Sequence, residues 1–208
     1  LCAVSASLIR GSDGRRRCAW SLSAPDYVRY HDEEWGRPVT DDRGVYERLV
    51  LEGFQSGLSW LTILRKREGF RAAFANFEIG VVAGFGEREV ERLLGDAAIV
   101  RHRGKIEAAI HNARAAAALD GSLAELVWSF APPRRRRTPR AMDELPALTP
   151  ESSALSKELK RRGFRFVGPT TAYAAMQACG VVNDHLAGCW ARAQVESALR
   201  GLSSPGDG

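Results

Sequence analysis

The chain has 208 residues with 30 basic and 25 acidic side chains, a formal charge of +5, and is long enough for one compact core or two closely apposed lobes; one domain is the expectation. Charges interrupt every apolar run before the roughly 18 residues a spanning helix needs, and the opening LCAVSASLIR lacks the basic lead and long apolar segment of a signal peptide, so a soluble cytoplasmic protein with no membrane partner is predicted. The positive balance favours a polyanionic partner without naming one, and in that compartment Cys2, Cys18, Cys179 and Cys189 read as free thiols or metal ligands ahead of disulfides.

Taken in chain order, Tyr27 and Tyr30 stand three apart on one helical face, Trp35 follows, and Trp20 and Trp60 flank the same region. Aromatic residues at this spacing usually build core, but they can also wall a flat cationic ligand. The segment Asp41–Phe54, DDRGVYERLVLEGF, opens on capping aspartates and carries Val45, Leu49 and Val50 at helical recurrence. Glu52 falls on the same stripe as Val45 and Leu49. A carboxylate there is costly unless it is paired, capping the next helix across Gly53, or used.

Further helices are predicted over LSWLTILRKREGFRAAFANF, with a break near Gly69, over EREVERLLG and over GKIEAAIHNARAAAAL. Period-2 alternation is nearly absent, so the fold class is all-α. The proline-rich stretch from Ala131 to Pro150 is a loop, in which Arg134 to Arg137 either touch phosphate or are simply solvated.

Ser152 or Ser153 then caps a helix that turns Leu155 and Leu159 inward, gathers Lys157, Lys160, Arg161 and Arg162 near its end, and stops at Gly163. The turn FRFVGPT follows, with Val167, Gly168 and Thr170, and Pro169 opens a second helix that runs to about Gly180. Free N–H groups converging on such a turn bind phosphate; an ordinary αα-corner is the alternative.

In NDHLAGC, His185 and Cys189 are four apart, a spacing that on a helix brings both onto one face. Cys18 and His31, with twelve residues between them, would complete a Cys₂His₂ set: a closed tetrahedral zinc site of structural type. His102 and His111 are alternative ligands, although their basic or helix-face settings suit surface roles.

The stretches RCAW, YVRYHDEEWGRPVTDD, LEGFQSGLSWLTILRKRE, RHRGKI, LSKELKRRGFRFVGPTTAYAAMQACGVVNDH and the Gly188-Cys189 pair together resemble the DNA-3-methyladenine glycosylase I family, from about Arg17 to Cys189. The resemblance implies an all-helical helix-hairpin-helix glycosylase, with that motif at about 152–180. It implies a single domain over 17–193, a flexible extension at 1–16 and a tail at 194–208.

It further implies one zinc ion on Cys18, His31, His185 and Cys189, and removal of 3-methyladenine from alkylated double-stranded DNA by a monomer. Glu52 takes the place of the family's base-recognising glutamate and is the catalytic candidate. Tyr27, Tyr30 and Trp60, with Trp20 and Trp35 nearby, take the substrate pocket; Leu58 resembles the side chain that probes the gap left by a flipped nucleotide, and Val167, Gly168 and Thr170 take the DNA backbone. Asp184 lies near where related enzymes keep a catalytic aspartate, which this family is regarded as lacking. Ala98 replaces a more usual glycine in DAAIVRHR. A catalytically inert zinc-stapled DNA-binding module and a zinc hydrolase are the competing classes, the latter disfavoured because four protein ligands close the metal.

Overall fold

A computed structural model of the protein describes residues 7–133 and 138–202. Cys2 and the Arg134–Arg137 run lie outside the described residues. In chain order the elements are β1 (Leu8–Arg10), β2 (Arg16–Cys18), α1 (Pro25–Glu33), α2 (Asp42–Gln55), α3 (Trp60–Ala73), α4 (Ile79–Ala83), α5 (Glu87–Gly95), α6 (Arg103–Ala117), α7 (Leu123–Trp128), α8 (Pro150–Arg161), α9 (Pro169–Ala178) and α10 (Trp190–Leu202). Short 3₁₀ turns lie at Ala19–Ser23, Ala75–Phe77 and Met142–Glu144. The protein is therefore mostly helical, with one departure from the all-α expectation: β1 and β2 pair antiparallel, Leu8 opposite Cys18.

The chain separates into two compact units. One draws on Leu1–Pro38, Pro132–Ala147 and Gln177–Gly208; the other on Val39–Ala131 and Leu148–Met176. In the first, β1 and the turn after it fall within the first 16 residues, and β2 begins at Arg16. Gly14, at φ +79°, turns the chain, and the Arg17 guanidinium reaches back to Asp13 at 2.6 and 2.8 Å. Strands of three residues are too short for alternation to announce them. The same unit buries Cys18, Leu186, Cys189 and Ala191 together, with Leu8, Trp20, Leu145 and Trp190 packed against them. At its far end α10 carries the supposed tail as helix to Leu202.

The second unit is organised on α2, which is buried along most of its length from Val45 to Phe54. Such a helix has no polar face to give an amphipathic signature. Asp41 caps it by accepting from Gly44 N at 2.8 Å, and Asp42 Oδ1 accepts from Ala124 N at 2.8 Å, tying in the start of α7. Phe54, Phe70, Phe74 and Phe77 run as a file of ring contacts through the core, with centroids 4.7 to 6.2 Å apart between successive rings.

Two boundaries differ from the sequence reading. Gly69 does not break α3, which continues to Ala73. A side chain at Gly69 would stand 2.6 Å from Ala98 O and 2.8 Å from Ala98 Cβ, so the glycine permits close approach of the Asp96–Ile99 turn. The break comes instead at Ala75, Asn76 and Phe77, all with φ between +49° and +59°, a conformation costing roughly 1–2 kcal/mol per residue and offset by burial of Phe74 and Phe77. Likewise α8 begins before Ser152: Thr149 is its cap, Pro150 its first residue, and Thr149 and Ser152 exchange cap hydrogen bonds at 2.9 and 3.1 Å.

Candidate functional site

In the first unit, four buried donors converge. Cys18, His31, His185 and Cys189 place one ligand atom each within 4.8 Å of all the others. Cys189 Sγ lies 3.4 Å from His31 Nε2 and 3.6 Å from His185 Nδ1, and the two nitrogens are 3.2 Å apart. A tetrahedral zinc centre, with its ordinary bond lengths, sets nitrogen–nitrogen edges of about 3.3 Å and nitrogen–sulfur edges of about 3.6 Å. The donor set fits that ion in chemistry, and these three separations fit it in spacing.

The orientation of each ring is also fixed from behind. His31 directs Nδ1 to Asp32 Oδ1 at 2.8 Å, which leaves Nε2 for the centre. His185 directs Nε2 to Trp35 O at 3.0 Å, leaving Nδ1. Asp32 is held in turn by the Arg17 guanidinium at 2.8 to 3.0 Å and by the Trp190 indole N–H at 3.0 Å. Burial pushes the Asp32 carboxyl up, but hydrogen bonds from Arg17, His31 and Trp190 outweigh it and hold the group below the usual carboxylate range. A hydrogen bond from Cys18 lowers the Cys189 thiol, with His185 and His31 adding to the effect, and Leu186 N approaches Cys18 Sγ at 3.4 Å. Such partners orient the donors of a metal centre.

His185 and Cys189 do not share a helix, as their spacing suggested. Residues 183–189 form a loop in which Asn183 accepts from His185 N at 3.2 Å and Gly188, at φ +84°, lets Cys189 N reach back to Leu186 O at 3.0 Å. The alternative ligands stay apart from the four: His102 is exposed and caps α6, and His111 lies on α6 within 3.7 Å of where a Gly163 side chain would stand. Asp184 is buried and accepts from Gln177 Nε2 at 2.8 Å.

Around this cluster stand four of the predicted pocket aromatics. Trp20 is central, edge-on to Tyr27 at 5.5 Å and to Trp35 at 5.1 Å, and tilted against Tyr30 at 6.5 Å. Trp35 also meets the His185 ring edge-on at 4.7 Å. Tyr30 and Trp35 are buried, whereas Trp20 and Tyr27 keep part of their surface. Trp20 also meets the His31 ring edge-on at 5.4 Å, so the two tryptophans pack directly on the two histidines of the donor group, a contact that sequence spacing did not reveal.

The second unit holds Glu52, Leu58 and Trp60. Two buried carboxylates lie on α2, and they differ. Glu47 is paired with Arg71 at 2.7 Å. Glu52 is 6% exposed, and no hydrogen bond or ion pair among the described residues engages its carboxyl. Burial pushes its pKa up to about 8. A salt-bridged structural glutamate is the bland alternative, and Glu47 fills that description while Glu52 does not. Leu58 is 42% exposed on the turn between α2 and α3, and Trp60, half-buried, opens α3.

The turn between α8 and α9 is pinned at three points. Gly163 ends α8 at φ +93°. Ser156 Oγ donates to Val167 O at 2.6 Å. Asn112, buried on α6, clasps Arg165 on both sides: its Nδ2 donates to Arg165 O at 2.9 Å and its Oδ1 accepts from Arg165 N at 2.7 Å. Gly168 is half-buried and Thr170 exposed. Val167 is fully buried. Neither Asn112 nor Arg17 was singled out by the sequence; an asparagine amid the alanines of α6 and an arginine directly before a candidate ligand were the available signals.

Comparison with known proteins identifies the family to which the chain is similar. The sequence profile described as methyladenine glycosylase matches residues 20–193. DNA-3-methyladenine glycosylase 1 of Escherichia coli is 50% identical over 177 residues, spanning 83% of this chain and 95% of that protein. DNA-3-methyladenine glycosylase of Haemophilus influenzae is 40% identical over 181 residues, spanning 83% and 96%. A solved structure of 3-methyladenine DNA glycosylase I from Staphylococcus aureus, a study of 3-methyladenine recognition, superposes with a TM-score of 0.80 at 33% identity, covering 85% of this chain and 96% of that one.

Proposed function

The chain belongs to the methyladenine glycosylase family and is a hydrolase of N-glycosyl bonds, and from that premise we propose that it releases 3-methyladenine from alkylated double-stranded DNA, leaving an abasic site. The observation that carries the reading is Glu52: a buried carboxyl that nothing among the described residues pairs, on the same helix as a buried glutamate that is paired. A protein keeps such a group where a ligand completes it.

Methylation at N3 makes the adenine cationic, and the base departs neutral, so the substrate carries much of its own activation. The chain must extrude the nucleotide, which is cheapest for a damaged pair, and hold it where water can reach an oxocarbenium-like sugar. An arriving cation favours the ionised form of Glu52, which then accepts hydrogen bonds from the base. Tyr27, Tyr30 and Trp60, with Trp20 and Trp35, are the aromatic surfaces we assign to the base, where cation–π attraction favours the methylated form over plain adenine. Leu58 fills the gap left in the duplex. Gly168 and Thr170, in a helix-hairpin-helix formed by α8, the turn and α9, meet the phosphates.

Cys18, His31, His185 and Cys189 would hold one zinc ion, which supplies a cross-link and no Lewis-acid chemistry because four protein donors leave no position for a substrate. Asp32 orients His31 for that ion, and Trp35 O orients His185. We assign the protein to the cytoplasm as a monomer; no helix among the described residues is long and apolar enough to cross a membrane.

Incubation with DNA methylated at many bases, followed by chromatography of what is released, tests the reading. Free 3-methyladenine should appear with the protein and not with the E52Q variant. Release of no base would reduce the protein to a DNA-binding module.

A further inference from the structure

Lys105 is a buried cation that the reading above gives no task. It stands near the start of α6 and is only 8% exposed, an unusual setting for a lysine. Among the described residues no carboxylate pairs with it. Its ammonium instead donates to two main-chain carbonyls, Phe54 O at 2.9 Å and Ser56 O at 2.5 Å. These belong to the last residues of α2 and the turn beyond, where carbonyls lack intrahelical partners and carry the negative end of the helix dipole. Burial draws the lysine below its usual pKa, but the two carbonyls and the helix end give the charge a reason to stay.

What the clamp fixes is the turn Gln55–Leu58. Leu58 N donates to Gln55 O at 2.6 Å, and Gly57 supplies the left-handed conformation at φ +80°. On the far side Ser59 caps α3 by accepting from Thr62 N at 3.2 Å. An exposed leucine is thus mounted on a turn anchored at both ends. A wedge that enters stacked bases works against their stacking, and it does so best when its own backbone has no freedom left to lose.

We propose that Lys105 is a positioning residue that holds the Gln55–Leu58 turn in the shape from which Leu58 enters the duplex. The proposal rests on the reading of Leu58 as the gap-filling side chain. Lys105 touches neither base nor sugar; it acts through the carbonyls of Phe54 and Ser56. Lys105→Met keeps the aliphatic stem and removes the donors, whereas Lys105→Arg keeps a cation with several N–H groups to offer the same carbonyls.

The test is a double-mutant cycle of Lys105→Met and Leu58→Ala. It is read as affinity for a duplex carrying one tetrahydrofuran abasic analogue, by fluorescence anisotropy, with thermal midpoints recorded alongside. Each single variant should bind about tenfold more weakly, the double variant should be no more than about twofold weaker than either, and Lys105→Arg should recover most of the loss. If Lys105→Met proves unfolded, Lys105→Leu, which likewise removes the donors, passes through the same cycle. Losses that multiply in the double variant, or unchanged affinity in the lysine variant while Leu58→Ala is impaired, would overturn the Lys105 proposal and leave the Leu58 reading standing. Full affinity in Leu58→Ala would overturn the Leu58 reading, and the positioning role with it.

Discussion

His31 and His185 face one another through unlike nitrogens, Nε2 of the first 3.2 Å from Nδ1 of the second. Each ring is committed by a hydrogen bond on its opposite side, one to Asp32 and one to a main-chain carbonyl. Rings so committed are preorganised for an ion between them. The protein as isolated should contain one zinc per chain by elemental analysis, and Cys18→Ser or His185→Ala should abolish it. The thermal midpoint should fall by about 10 °C, the shift that a loss of roughly 4 kcal/mol produces in a chain of this size.

Asp32 should matter almost as much as the ligands. Asp32→Ala leaves all four donors in place but frees His31 to rotate and leaves the buried Arg17 guanidinium with only Asp13. Zinc affinity, measured by competition with a chromophoric chelator, should drop by about 10- to 100-fold. An undiminished affinity would show that the ring needs no orienting carboxylate.

Glu52 gives the fold a characteristic dependence on pH. Unfolded, the group ionises near 4.5; folded, near 8. Between those values the unfolded chain gives up a proton that the folded chain retains, so the contribution is full below 4.5 and declines as pH rises to 8. Urea titrations from pH 5 to 8 should show the wild-type protein losing about 3 kcal/mol relative to Glu52→Gln, which carries no titrating group there. The same variant should bind undamaged DNA normally at fixed salt while its release of 3-methyladenine collapses.

Asn112 holds both polar groups of Arg165's backbone from a different helix. Asn112→Ala would leave the α8–α9 turn less ordered in the free protein, at a cost of about 1–2 kcal/mol for the lost pair. DNA affinity measured by anisotropy should fall by roughly tenfold, equally on all duplex sequences, because a phosphate contact reads no base.

Gly69 can be tested by stability alone. Gly69→Ala drives a methyl group toward Ala98 O and Ala98 Cβ, at 2.6 and 2.8 Å. The variant should lose about 1–3 kcal/mol in urea unfolding, even though alanine is the better helix former. Adding Ala98→Gly should return only part of the loss, since the carbonyl remains.

Much of this site could be read from residue types, and the reasons it was not read fully are local. The convergence of Cys18, His31, His185 and Cys189 was legible because cysteine and histidine are scarce in this chain and their chemistry is selective. Their geometry was not: His185 and Cys189 meet through the left-handed Gly188, and a spacing of four carries no mark to separate a helix from such a loop. The burial of Glu52 was legible in the periodicity of α2, yet that helix is buried nearly all round, so its stripe could not by itself distinguish Glu52 from the paired Glu47. Gly69 looked like a breaker because sequence does not show what lies against a glycine. The burial of Val167 was not legible because the turn is held by Ser156 and Asn112, one of them more than fifty residues away. The division into two units was hidden as well, since nothing in composition marks where the chain leaves one unit and re-enters it.

That division bears on how the molecule comes into being. The unit holding the Cys/His group is assembled from segments far apart in sequence, with Cys18 and His31 awaiting His185 and Cys189. During synthesis the stretch from Val39 onward leaves the ribosome and can begin to fold while the first two ligands remain without their partners. Capture of an ion by all four would therefore wait until His185 and Cys189 have emerged. A polypeptide truncated before His185 could retain most of its helices and still lack half of the donor set.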